Sequence, residues 1–252
     1  MKSTKSQRVA QAFLAVAVTA LFAIGIAKGI TERAKDYHVY DRAGDRWLAG
    51  EALYRNDDVP MPYKYPPPSA ALLVPFSVLP RALGGALLNG LSVLALVWVL
   101  RRLTSDVRLA AIAVACTCQS LFLVLDHGQV DLLILALSVW AWSSARPSAG
   151  GIAFALACLL KPPAGVFLFG WLRDRRFQLI AWSIAAGFGS LAFTMGRYGF
   201  HRTWTLLVEW RSLLGSTTGQ WFLRHDAQGW PSAFLTPVYR GEVPDSGAVL
   251  AA

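Results

Sequence analysis

Asp36-Tyr37-His38-Val39-Tyr40, continuing through Trp47, Gly50 and Tyr54 to Tyr65-Pro66-Pro67-Pro68, is a polar, aromatic stretch enclosed by apolar runs. One run of membrane-spanning length precedes it, and a nearly continuous series follows. Charged and aromatic side chains gathered just outside a bilayer need a reason. The stretch is therefore read as the loop that carries the site.

The composition supports a membrane setting. With 55% hydrophobic residues, 15% charged residues, ten Trp and a net charge of +9, the chain has the make-up of a polytopic membrane protein. The Lys and Arg are scattered between apolar runs and form no basic block, which argues against nucleic acid as a partner. Cys116, Cys118 and Cys158 lie within apolar segments and lack zinc or thioredoxin spacing. They are read as small packing residues.

Upstream of the loop, Lys2, Lys5 and Arg8 precede an apolar run from about 9 to 27, close to the ~20 residues a helix needs to cross the hydrocarbon. The run exceeds a signal-peptide core and no small-x-small cleavage site follows, so a retained span is expected. The basic start sets the N-terminus in the cytoplasm and residues 31–69 outside. Downstream, membrane helices are expected over about 70–196 and an outer segment over 197–252. The whole chain reads as a single integral membrane domain, all-α.

Charge then fixes a parity. Segment 31–69 holds six Lys/Arg against seven Asp/Glu, nearly balanced, whereas Arg101, Arg102 and Arg108, and again Arg173, Arg175 and Arg176, mark basic returns on one side. An even number of crossings must separate the two returns. Apolar runs at about 109–125, 131–145 and 149–172 make three, unless Lys161-Pro162-Pro163 divides the last. Two short helices, 149–160 and 163–172, then meet at Lys161. Neither crosses ~30 Å of hydrocarbon, so their tip lies within the bundle or in a watery pocket. Asp126-His127-Gly128-Gln129 forms the equivalent tip of the preceding pair, and both tips point at the 36–68 loop.

The series Asp36-Tyr37-x-x-Tyr40, Ala43, Leu48, Gly50, Tyr54, Tyr65-Pro66-Pro67, Pro75, Leu79-Pro80, Gly128-Gln129 and Lys161-Pro162 resembles glycosyltransferase family 87. These are multispanning GT-C enzymes that include polyprenyl-phosphate-mannose-dependent α-1,2-mannosyltransferases of actinobacteria. The resemblance implies a GT-C-like helical bundle with short paired membrane helices and a helical first outer loop. It also implies inverting transfer of a sugar from a polyprenyl phosphate to a lipid-linked or glycan acceptor at the outer face of the plasma membrane. Its catalytic base would be Asp36. The chain is shorter than the family's usual length, so a non-catalytic accessory relative that binds lipid is the alternative; a small-solute transporter is a third.

The chemistry is consistent with that role. An acceptor hydroxyl attacking an anomeric carbon needs a carboxylate to take its proton, and a departing phosphate needs a cation or other donors. No metal or other cofactor is required, no Asp-x-Asp motif is present, and the four histidines share no ligand spacing. Tyr37, Tyr40, Trp47 and Tyr65 offer apolar faces and polar tips to substrate.

Each residue also has a structural reading. Asp36 is equally a helix-start acid, Glu32 is an alternative base, and Asp41 with Asp45 suits a solvated stripe. Tyr65-Pro66-Pro67-Pro68 also stiffens the entry to the next span. Gln129 binds a substrate hydroxyl or holds its hairpin. Lys161 anchors a donor phosphate, snorkels, or pairs with Asp126 or Asp131. Asp226, Gln228 and Ser232 belong to a further outer segment, and Trp204, Trp210, Trp221 and Trp230 to an interfacial belt.

Overall fold

In the computed structural model, residues 4–31, 34–55, 57–58 and 61–221 are described, with side chains to residue 216. Glu32, Asp226, Gln228, Trp230 and Ser232, as well as the side chain of Trp221, lie outside them. The described chain is helical: α1 Lys5–Ile30, α2 Lys35–Ala49, α3 Ser69–Ser77, α4 Arg81–Leu103, α5 Val107–His127, α6 Asp131–Ser143, α7 Pro147–Leu160, α8 Phe167–Arg173, α9 Phe177–Tyr198 and α10 Phe200–Trp221. A 3-10 turn, Pro162–Val166, links α7 to α8. Helices α1, α4, α5 and α9 are long and apolar enough to cross a membrane. The chain is an all-α polytopic membrane protein.

The bundle is built by helices that pack at small residues. Helix α1 lies against both α4 and α5. A Cβ on Gly29 would fall 2.4 Å from the Ala86 nitrogen, so the helix backbones meet there. Asn89, fully buried, donates from Nδ2 to the carbonyls of Gly25 at 2.8 Å and Leu125 at 3.0 Å. One side chain thus ties three spans together. Helix α6 packs on α4 and α7, and α7 packs on α9, where Gly150 and Gly151 face Leu179 and Trp182. Cys116 and Cys118 stand on the exposed face of α5, turned away from the bundle, whereas Cys158 is half-buried.

The expected division at Lys161 is present. Pro162 drives the preceding residue out of helical conformation, and Lys161 is extended at φ −151°, ψ 109°. Helix α6, of 13 residues, and α7, of 14, rise only ~20 Å each. Both stop short of a ~30 Å hydrocarbon layer. At their other ends, Arg102 donates to Ser143 Oγ at 3.1 Å and Arg176 to the Trp142 carbonyl at 3.0 Å. These contacts gather the ends of α4 and α6 and the start of α9 at one end of the bundle, here called the basic end. Arg101, Arg108, Arg146, Arg173 and Arg175 share it with them.

Helix α2 and its loop cap the opposite end. Helix α2 buries Tyr37, Val39, Tyr40, Ala43 and Trp47, and ends at Gly50 in the left-handed region, φ 72°. Arg197, from the end of α9, donates to the carbonyls of Trp47 and Leu48, and so caps α2 with a cation where its dipole is negative. Trp47 sits between Phe193 and Tyr198, ring centroids 5.9 and 5.2 Å away. The indole packs the helix and has no open face. Residues 200–221, expected only as a mixed outer segment, form a regular helix. Thr203, Leu206, Trp210 and Leu213 recur at helical spacing on its inner side, and Trp210 Nε1 donates to the Lys64 carbonyl at 2.9 Å.

Candidate active site

The loop after α2 turns back over it by way of stacked tyrosines. Tyr54, Tyr63 and Tyr65 pack with centroids 5.9 and 5.5 Å apart. Tyr54 Oη donates to the Tyr65 carbonyl at 2.7 Å, and Tyr63 Oη lies 2.6 Å from Ser69 Oγ, which itself donates to the Pro66 carbonyl. With three prolines fixing φ between these bonds, the segment is held rigidly against α2. Tyr65 Oη is thereby set 2.7 Å from Tyr40 Oη.

Beneath this loop lies a cavity of about 240 Å³ lined by Asp36, Val39, Tyr40, Met61, Pro62, Lys64, Tyr65, Lys161 and Pro162. Asp36 occupies the first turn of α2, where the helix dipole favours a carboxylate. Lys161 also lines it, and its Nζ donates to Asp131 Oδ1 at 2.5 Å. Asp131 stands in the first turn of α6. The sequence-derived candidates Asp36, Tyr40, Tyr65 and Lys161 therefore share one cavity.

Gln129 lies beside the cavity and hydrogen-bonds the Asp36 carboxylate. Its place follows from Gly128, which ends α5 in the left-handed region at φ 67°. The Gln129 amide then donates back to the Val124 carbonyl at 2.9 Å, closing the turn. A Cβ on Gly128 would fall 2.8 Å from Ala34 Cβ and 2.9 Å from Tyr37 Cβ, so the α5 tip presses directly on the first turn of α2. Glycine here meets both the backbone angle and the close approach.

Tyr37 is set apart from the cavity. It is 1% exposed, and its hydroxyl donates to the Phe76 carbonyl at 3.1 Å, on the side of α2 that faces α3 and α4. Asp41, on the same helix, is buried and bound to Arg81 Nε at 2.8 Å. Asp41 is thus an anchor of α2, where a solvated stripe was expected.

Burial pushes the Asp36 carboxyl above its ordinary range. The hydrogen bond from Gln129 opposes this, then the charges of His127 and Lys161, while Asp131 adds to the rise. Burial also raises both phenols of the Tyr40–Tyr65 pair, which stay protonated as donors, and lowers the Lys64 ammonium. Lys64 and His127 were not singled out from the sequence. Asp131 entered only as a partner for Lys161. Among the described residues no cluster of His, Cys, Asp and Glu has metal-holding geometry.

This arrangement holds a carboxylate near a cation in a half-closed, aromatic cavity. It suits proton removal from a hydroxyl on one side and retention of an anionic leaving group on the other.

The sequence model of glycosyltransferase family 87 matches residues 63–252. That match begins beyond Asp36 and includes Lys64, Tyr65, Gln129, Asp131 and Lys161. A polyprenol-phosphate-mannose-dependent alpha-(1-2)-phosphatidylinositol pentamannoside mannosyltransferase of Mycolicibacterium smegmatis is 27% identical over 203 residues, covering 75% of this chain and 50% of the relative. The chain thus spans about half the length of that relative. No solved structure matches.

Proposed function

The chain belongs to glycosyltransferase family 87, and on that premise we propose that it transfers a hexose, in first place mannose, from a polyprenyl phosphate to a lipid-linked or glycan acceptor. The acceptor hydroxyl attacks the anomeric carbon from the face opposite the phosphate, and the configuration inverts. Asp36 takes the hydroxyl proton. Lys161, with Lys64 in the same cavity lining, receives the phosphate as its bond to the sugar breaks. Gln129 orients the Asp36 carboxylate, and the Tyr40–Tyr65 hydroxyls offer hydrogen bonds to the sugar. Tyr37 serves as a packing residue that fixes α2.

The observation that carries this reading is the one cavity lined by both Asp36 and Lys161, close enough for the ammonium to act on the carboxylate. The bilayer supplies a second support. A groove of about 740 Å³, lined by Leu72, Leu91, Trp98, Leu133, Trp140 and Leu160 among others, runs down α4, α6 and α7 from the residue preceding Lys161. An isoprenoid chain is the kind of tail such a wall accepts. With the N-terminal Lys and Arg on the cytoplasmic side, the site end faces outward across the plasma membrane.

The reading is tested by transfer of labelled mannose from polyprenyl-phosphate mannose into lipid products, in membranes carrying wild type or Asp36→Asn at matched abundance. Transfer by the wild type and its loss in the variant are expected. Absence of wild-type transfer where the Mycolicibacterium relative is active would overturn the catalytic reading and favour an accessory, lipid-binding role.

A further inference from the structure

The basic end holds a second cavity, remote from Asp36. It measures about 420 Å³ and is lined by Leu14, Ala15, Val18 and Thr19 of α1, Val97, Leu100 and Arg101 of α4, and the turn into α5. Its origin lies in how α1 packs. Near the site end, Gly25 and Gly29 let α1 sit on the backbone of α4. Toward the basic end the described residues leave a gap, where α1 presents Ala15 and Thr19 and α5 presents Ala110. The volume falls within the ~300–1,000 Å³ of small-ligand sites.

Arg101 stands at the mouth of this gap, exposed, with no ion pair or side-chain hydrogen bond to any described residue. Its neighbour Arg102 differs, because that guanidinium donates to Ser143 Oγ and to the Ser143 carbonyl, both at 3.1 Å. Lys5 and Arg8 begin α1 at the same end, and the nearby Asp106 is already bound by Arg108 at 2.9 Å. The mouth therefore carries uncompensated positive charge over an apolar slot.

We propose that this cavity binds one anionic phospholipid, with an acyl chain between α1, α4 and α5 and the phosphate on Arg101. A guanidinium pairs with phosphate through two parallel hydrogen bonds, and a basic pocket between spans suits an anionic head group. A zwitterionic lipid brings its own ammonium group, which Arg101, Lys5 and Arg8 repel. The choice of an anionic lipid follows from that charge. This inference rests on the membrane fold and is independent of the transferase reading.

The experiment uses the purified full chain, stripped of lipid and offered equimolar phosphatidylglycerol and phosphatidylcholine of identical acyl chains, with retained lipid counted by native mass spectrometry. Wild type is expected to retain phosphatidylglycerol preferentially. Arg101→Gln lowers that preference by about fivefold, the loss of one interfacial cation, whereas Arg102→Gln leaves it in place. Ala15→Phe, which narrows the slot, reduces retention although Arg101 remains. Equal retention of the two lipids, equal loss in Arg101→Gln and Arg102→Gln, or full retention in Ala15→Phe would each overturn the proposal. All three substitutions lie at exposed positions.

Discussion

At the end of the bundle that carries Asp36, the cations Lys28, Arg46, Arg55, Arg81, Lys161 and Arg202 each have a carboxylate within ion-pair distance; at the basic end the described residues offer one only to Arg108 and Arg173. The first set ties helices and loops into a fixed geometry around a cavity. Most of the second have no carboxylate partner among the described residues, and Arg102 and Arg176 hydrogen-bond across helix ends instead. Charge at one end is paired with carboxylates; at the other it mostly is not. Substitutions at the two ends should therefore differ in kind as well as in size.

The largest effect is expected at Asp36. Asp36→Asn removes the proton acceptor while keeping the hydrogen bond from Gln129, so labelled-mannose transfer should fall by about 100-fold to 10,000-fold with an unchanged melting temperature. Residual activity near wild type would place the base elsewhere.

Lys161→Ala comes next, with a loss of roughly 100-fold in kcat/KM as the leaving phosphate loses its counter-charge. This variant also carries a pH signature. As the proposed base, Asp36 would work only when ionised, and activity is expected to be lost as pH falls through its raised folded pKa. Removing the ammonium removes an opposing charge, so the acid limb of the pH–rate profile should move to higher pH. A limb that stays in place would separate Lys161 from Asp36.

Gly128→Ala tests how tightly the two tips are joined. The backbone angle of 67° and the contact at 2.8 Å predict destabilisation of about 1–2 kcal/mol in thermal unfolding, together with loss of activity as Gln129 shifts. At Arg46, which grips both oxygens of Asp58 at 2.6 and 2.7 Å, replacement by Gln should cost about 2 kcal/mol. The smallest effect belongs to the basic end: Arg173→Gln, at a side chain 89% exposed, should leave both melting temperature and transfer unchanged. A comparable loss at Arg173 would mean that the two ends do not differ as described.

Much of this architecture was legible along the chain because a bilayer imposes a strong rule. Apolar length, prolines and the alternation of balanced and basic segments were enough to divide the 149–172 run at Lys161 and to bring two polar tips beneath one loop. The role of individual aromatics was not legible. Tyr37 and Tyr40 are three residues apart on α2 and read alike, but one turns into the helix contact with α3 and α4 and the other into the cavity. Trp47 reads as a sugar platform along the chain, whereas in the fold Phe193 and Tyr198 pack against its ring. Residues 200–221 read as mixed because their exposed face itself combines Phe200, Trp204 and Val208 with His201 and Arg211, while Leu206 and Leu213 are buried on the other.

Beside the short list containing Asp36, Gln129 and Lys161, which the family resemblance supplied, the order of residues alone set the all-α membrane fold and the division at Lys161. Those features depend on local backbone limits and on the cost of polar groups in hydrocarbon, which act on contiguous sequence. Tertiary packing chose which candidates meet: Asp131 at Lys161, Lys64 in the cavity wall, Gln129 on Asp36, and Tyr37 turned away. Such pairings join residues far apart in the chain through close approaches at Gly29 and Gly128. Their geometry exists only once the helices are seated.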